Sequence, residues 1–410
     1  MKYSNLFLAS LSVVLLTACS RTDDNDLPPA LDDTDEVVAD GEVVPCENGF
    51  AGIYPCSGYD LVGQVTLREM QAGSGNDCWG WTDPATGNEY ALMGLDNGVA
   101  FIEISDALNP LYLGKLSSRT ASSPWRDVKV FGNHAFVVSE ADNHGLQVFD
   151  LTRLRGLEEA QNFTADAVNL EFGSAHNIVI NEEESRVYVV GAATFDGGLH
   201  IFDVSNPEAP VSIGGFDGDG YTHDAQVVTY SGPDTDYTGR QICVASNEDS
   251  ITLVDVTDAA NPVFISKITY SNPFYTHQGW FTEDQRYFIG NDELDELQVG
   301  FNTRSLIFDF SDLDNPVEVG TYSGPTRAID HNYYVKANTL FLTNYTAGLR
   351  VLDITDVANA NFTETGFFDT YPASNVTDFE GAWSNYPYFA SGKIIISDIE
   401  RGLFIIKKSQ

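Results

Sequence analysis

Three features of the chain predict an all-β fold, a seven-bladed β-propeller of four-stranded blades. First, seven segments of one design begin at residues 98, 145, 198, 250, 305, 348 and 402, among them GLHIFDVSNPEAPVSIGGF, SITLVDVTDAANPVFISKI and SLIFDFSDLDNPVEVGTY. Each is an alternating apolar run, then an Asp-bearing turn, often with Asn-Pro, then a second strand. Second, two more strand-like runs precede each segment, as in HNIVINEEESRVYVVGA (176–192), so a unit holds about four strands, the size of a propeller blade. Third, long helical patterns are missing. Only LTRLRGLEEAQ (151–161) reads as helix-like, an insertion in the second blade.

The chain opens with MKYSNLFLASLSVVLLTAC: a lysine, an apolar run from Leu6 to Leu16, small residues, then Cys19. The run is too short for a working membrane span and reads as a secretory signal over residues 1–18. Leu16-Thr17-Ala18-Cys19 looks like a bacterial lipobox, with Cys19 lipidated as the new first residue. By resemblance to lipoprotein sorting rules, Ser20 directs such a protein to the outer membrane, facing the periplasm or the cell surface. Residues 19–45 follow as an acidic, proline-bearing tether that cannot bury enough surface to fold. Two of the five cysteines, Cys46 and Cys56, lie close together and outside the inner membrane, where disulfides persist; their pairing is expected to pin a loop over 46–59. Cys78 and Cys243 are expected to stay reduced. The propeller then occupies 60–410. Its last unit stops after a third strand, so DLVGQVTL (60–67) is expected to complete the final blade and remove its open edges.

The net charge of −39 argues against nucleic acid and against anionic lipid surfaces, leaving membrane attachment to the N-terminal lipid alone. A monomer with an extracellular ligand or protein partner is expected.

The repeats GLHIFDVSNPEAP and SITLVDVTDAANP resemble LVIVD repeats. The run from CENGFAGIYPC through THDAQVV, THQGWFTEDQRYF, AIDHNYYV and GAWSNYPYF to GLFII resembles the choice-of-anchor B family over nearly all of residues 46–406. That resemblance implies an extracytoplasmic propeller held by one of several surface anchors, here lipid. It carries no catalytic residues over to this chain.

Four of the seven histidines stand where an inner strand begins: GSAHNIVI, YTHDAQVV, YTHQGWF and AIDHNYYV. Aligning the first strands places Cys78, Arg126, His176, His223, His277, His331 and Glu380 around the channel mouth. Loops between second and third strands should emerge on the same face and bring Glu140, Glu248, Asp292, Glu293, Asn344 and Asp398. Histidines beside carboxylates are ligand types for a divalent transition metal. The candidate ligands are His176, His223, His277, His331, Asp224 and Glu380. Calcium is a further candidate at FDGDGYTHD (216–224) and at the acidic insertion GNDELDELQVG (290–300). Trp280 and Trp383 read as packing residues. Three functions stay open at this level. The first is a surface binding propeller, the second a metal-dependent extracellular hydrolase or lyase using the same mouth. The third is a structural envelope propeller, its ring serving blade architecture as in WD-repeat proteins.

Overall fold

The computed structural model describes residues 41–410. Among these residues the strands form seven sheets, antiparallel but for one added edge strand on blade 1, arranged as the blades of a propeller. The inner strand of each blade starts at Gly75, Arg126, Asn177, Asp224, Thr276, Tyr333 or Ala382. The closing strand is Tyr59–Val65, which runs antiparallel to Gly402–Lys408 and supplies the fourth strand of blade 7. The seven-bladed architecture and its N-terminal closure are therefore as the repeats predict. No helix among the described residues is long and apolar enough to cross a membrane.

The segment before the closing strand does more than lead into it. Tyr54–Ser57 pairs with Asn361–Phe368 on the outer edge of blade 6. The chain thus ties blade 6 to blade 7 before the ring is complete. Cys46 and Cys56 are disulfide-bonded, with Cα atoms 5.9 Å apart. Cys46 N–H donates to Asp60 Oδ1 at 2.8 Å, which fastens this loop to the closing strand. Cys78 and Cys243 are free and buried.

The insertion in blade 2 departs from its helix-like pattern. Only Leu151–Leu154 forms a turn of 3₁₀ helix, burying Leu151 and Leu154. Gly156, at φ +68°, then turns the chain away. Gln161–Phe163 crosses to pair in parallel with Leu111–Ser117 of blade 1, and Ala167–Asn169 returns as the fourth strand of blade 2. Edge pairing wins over a short helix with no apolar face to dock.

The repeat signature explains how blades join. At the end of a third strand the aspartate closes an Asx turn: Asp203, Asp255, Asp309 and Asp353 each accept an N–H from the residue two further on. In six blades the fourth strand carries a bulge, and the residue after the skipped one is glycine or serine. That small residue meets the next blade. Ser266 Oγ donates to Leu313 O at 2.5 Å. A Cβ on Gly214, whose φ is +151°, would stand 1.8 Å from Ala259 O. The Asp-x-x-Asn-Pro turn and the bulge are two sides of one joint. Apolar clusters fill the space behind it. One packs Ile395 and Leu403 of blade 7 against Met93 and Ala100 of blade 1; another packs Val190 and Ile201 of blade 3 against Ala225 and Cys243 of blade 4.

Gly214→Val forces a side chain into this joint. It is expected to cost on the order of 3 kcal/mol and to lower the thermal unfolding midpoint. An unchanged midpoint would show that the joint yields freely.

Candidate functional site

The histidines recur because each inner strand starts at the same height on the channel wall. His176, His223, His277 and His331 form a continuous arc at the mouth. Successive ring centroids lie 4.2, 4.4 and 4.3 Å apart. The Nδ1 side of three rings is fixed by the protein. His176 Nδ1–H donates to Glu140 Oε1 at 2.6 Å, and His223 Nδ1–H donates to the carbonyl of His277 at 3.0 Å. His331 Nδ1–H donates to the carbonyl of Trp383. A carbonyl only accepts, so His223 and His331 hold their protons on Nδ1 and leave Nε2 as a free lone pair.

The lone pair of His331 faces a carboxylate. Its Nε2 lies 3.5 Å from Glu293 Oε1, and His277 Nε2 lies 3.8 Å from the same oxygen. All three ligand atoms lie within 4.8 Å of one another. Ligands at bond lengths of about 2.0–2.2 Å on one tetrahedral ion stand roughly 3.3–3.5 Å apart, so this triplet needs little adjustment to close on a metal. Tyr345 O–H donates to Glu293 Oε1 at 2.8 Å and holds the carboxylate in place. His277 Nδ1 is buried with no hydrogen-bond partner.

Burial sets the charge state. It pushes His223 and His277 well below the ordinary histidine value, helped by the neighbouring histidines, and lowers His331 to about 4. It raises Glu293 to about 7 against the pull of Tyr345. The three rings are therefore neutral at pH 7, the protonation state that metal ligation needs. Their contribution to stability is present above the unfolded histidine value and lost as pH falls through their depressed folded values, about 4 for His331. Glu293 works in the opposite sense: it favours the fold at low pH and loses that contribution as pH rises through about 7.

The remaining predicted residues fall elsewhere. In blade 1 a bulge between Gly75 and Cys78 shifts the facing by one residue. Asp77 lines the mouth, and Cys78 is buried in the core between blades. In blade 7 the strand bulges between Ala382 and Ser384, and Trp383 takes the rim position that the alignment gave to Glu380. Glu380 lies in the preceding loop and accepts from Tyr371 O–H. Asp224 lines the deeper channel, on the far side of the arc from Glu293. Arg126 is at the mouth as expected, donating to Leu95 O at 2.9 Å and contacting His144 Nε2 at 2.9 Å.

Of the six loop candidates, Glu140 and Glu293 reach histidines. Asp292 instead accepts from Tyr270 O–H and from the backbone of Phe274 and Tyr275, and Asp398 closes a turn onto Glu400 and Arg401. Glu293 was one of six equal candidates, and nothing in its local sequence singled it out. The acidic insertion is no solvated loop: it forms a helical turn, Asp295–Gln298, that buries Asp295 against Arg304 at 2.5 Å. In FDGDGYTHD, Asp219 is taken by Lys267 at 3.0 Å and by Asn247 at 2.9 Å.

Comparison with known proteins agrees with this architecture. The LVIVD repeat model matches residues 173–217, the third blade. The chain carries an LVIVD repeat. No curated protein matches the sequence. Among solved structures, a protein from Lactobacillus plantarum is similar at 14% identity and TM-score 0.54, over 80% of this chain and 89% of that one. The β-propeller domain of Myceliophteria thermophila Cps50 (Swd1) is similar at 10% identity and TM-score 0.53, over 86% of this chain and all of that one. A chain of the Mitotic Checkpoint Complex is similar at 11% identity and TM-score 0.52, over 78% of this chain and 88% of that one. At such identities the likeness is one of fold alone. Within that fold, the matched LVIVD repeat supplies His176 and the start of the histidine arc.

In an NMR titration the His331 ring signals are expected to stay flat from about pH 8 to about pH 5 and to move only near 4. A midpoint near the ordinary histidine value would mean that the ring is solvated rather than sealed.

Proposed function

We propose that this chain is an envelope-anchored binding propeller whose channel mouth holds one divalent transition metal on His277, Glu293 and His331. The observation that carries the proposal is the convergence of two neutral imidazoles and one carboxyl group within 4.8 Å of one another, with His277 Nδ1 left without a hydrogen-bond partner. Two nitrogens and one oxygen suit zinc, manganese or iron better than calcium, which prefers six to eight oxygens. The space bordered by His277 and His331 at the mouth is about 20 Å³, room for one ion or one water, with Glu293 outside its lining. That size favours a resident ion over turnover of a polymer at the same point. Arg126 adds a fixed positive charge at the rim, so an anionic group on a ligand or partner protein would meet both the ion and the guanidinium.

The anchor belongs to the same proposal. The lipobox ending in Cys19, the acidic tether after it and the likeness to choice-of-anchor B proteins support a lipoprotein carried on the outer membrane. Cys19 lies outside the described residues.

Elemental analysis of protein purified without chelator or nickel resin is expected to give one transition metal per chain. His277→Ala, His331→Ala and Glu293→Ala should each lose it, and Tyr345→Phe should weaken it about tenfold. Wild-type protein that is folded and binds no added zinc, manganese or iron would falsify the metal site. For the anchor, Cys19→Ser is expected to abolish palmitate labelling and to move the protein from the membrane to the soluble fraction. Continued membrane retention of that variant would rule out a lipid anchor at this cysteine.

A further inference from the structure

Past the histidine arc the channel widens into a cavity of about 390 Å³. That is the size of a small-molecule site, about 300–1,000 Å³. One wall is aromatic. Trp280 meets Tyr334 at 5.0 Å between centroids, Tyr334 meets Trp79 at 5.7 Å, and Trp79 meets Tyr386 at 5.1 Å. Every one of these contacts is edge-on, with interplanar angles of 69°, 71° and 65°. In an edge-to-face pair only one of the two rings has a face covered by the other, so ring faces remain open to the cavity. Trp79, Trp280 and Tyr386 also stay partly exposed although they sit inside the ring of blades.

The opposite wall carries Asp224. Its Oδ1 accepts from the N–H of Ala225 at 2.6 Å, and no cation stands within ion-pair distance of it among the described residues. The one lysine in the channel, Lys129, is held by Asp77 at 2.8 Å and Asp127 at 2.5 Å. That ammonium is thus committed to two carboxyl groups, and Asp224 has no ion-pair partner of its own among the described residues. Lys129 also lies 4.9 Å from the centre of the Trp79 ring, so one aromatic face here already takes a cation.

The polar groups decide between ligand classes. A sugar needs several free donors and acceptors, but Gln278 is committed at both ends of its amide and Gln226 keeps only its Nε2 free, in a cavity that Glu182 also lines. Gln226 Oε1 accepts from Phe281 N–H, and Gln278 bonds the backbone of Tyr333 through both ends of its amide. An anion would meet Asp224. A compact cation meets aromatic faces, an unpaired carboxyl group and a protein of net charge −39 that draws cations toward it. We infer that this cavity is a second binding site, for a small organic ammonium caged by Trp79, Trp280, Tyr334 and Tyr386 and neutralised by Asp224. The site is separate from the metal proposed at the mouth and does not depend on it.

The test uses the full-length protein and two probes of one shape, choline and its neutral isostere 3,3-dimethylbutan-1-ol, followed by calorimetry and tryptophan fluorescence. Choline is expected to bind about tenfold or more tightly than the isostere. Asp224→Asn and Trp280→Ala should each weaken choline by about tenfold or more. Trp280→Phe, which keeps a ring and guards against misfolding of the alanine variant, should weaken it only a few-fold. Equal affinity for the two probes overturns the inference. So does choline binding that survives Asp224→Asn, tighter binding of a monosaccharide such as glucose, or no choline binding at millimolar concentration by a protein whose thermal melt shows it folded.

Discussion

Everything in this molecule depends on ring closure. A propeller blade is hydrophobic on both faces, so it is stable only between two neighbours, and an open ring would leave two apolar faces and an unpaired strand in water. The pairing of Tyr59–Val65 with Gly402–Lys408 removes both at once. It also sets the cost of any error elsewhere, because a displaced blade must be absorbed by the whole circle. That is why the bulge and turn joint recurs so strictly. The small residue of one blade and the carbonyl of the next fix the angle between blades by contact, as Gly214 does against Ala259. The first strand is held by Asp60, which takes hydrogen bonds from both Cys46 and Ser409, so the two ends of the domain meet on one carboxylate.

Closure in turn makes the site. Seven inner strands starting at one height bring residues more than a hundred positions apart in sequence onto one rim. The repeats made this legible. The strand pattern, the closing strand and the arc of four histidines all follow from period-two alternation read unit by unit. The misplaced residues share one physical cause. Bulges lie inside the inner strands of blades 1, 5 and 7, and each changes which side chain faces the channel without leaving a mark in hydrophobic pattern. Asp77 replaced Cys78 for this reason; in blade 7 the strand also begins only at Ala382, so Glu380 stays in the loop and the bulged Trp383 takes the rim. Glu293 was hidden differently. It sits in a loop with no periodicity, and only the fold decides that it, rather than Asp292 beside it, turns toward His277 and His331.

The channel is layered by charge. At the mouth, burial keeps His223, His277 and His331 neutral and Arg126 supplies a positive charge. Asp77 stands at the same rim, and one residue past Arg126 and His223 along their strands lie the carboxyl groups of Asp127 and Asp224, with Lys129 bridging Asp77 and Asp127. Asp77 is held below the usual carboxylate range by Lys129, while burial and the neighbouring Asp77 raise Asp127 well above it. One ammonium thus favours the ionised form of one carboxyl group more than the other, as expected where two acids share one base in a low dielectric. Asp224, pushed up to about 7 by burial, completes the layer.

This layering argues that the two proposed sites are distinct. An ion held between His277, Glu293 and His331 is separated from the aromatic cavity by the carboxyl layer and the Lys129 ion pairs. The mouth offers nitrogen lone pairs in a space fit for one atom. The cavity offers ring faces in a space nearly twenty times larger. A single ligand spanning both would have to displace the Lys129 bridges, leaving buried carboxylates uncompensated at a cost of several kcal/mol. The same bridges explain how a polar channel of this size stays ordered. Asp127 reaches across to the backbone N–H of Ile178 in blade 3, and Asp77 accepts from Asn332 in blade 6. The charges that divide the lumen therefore also tie neighbouring blades 2 and 3 together and, through Asp77, join blades 1 and 6 across the width of blade 7.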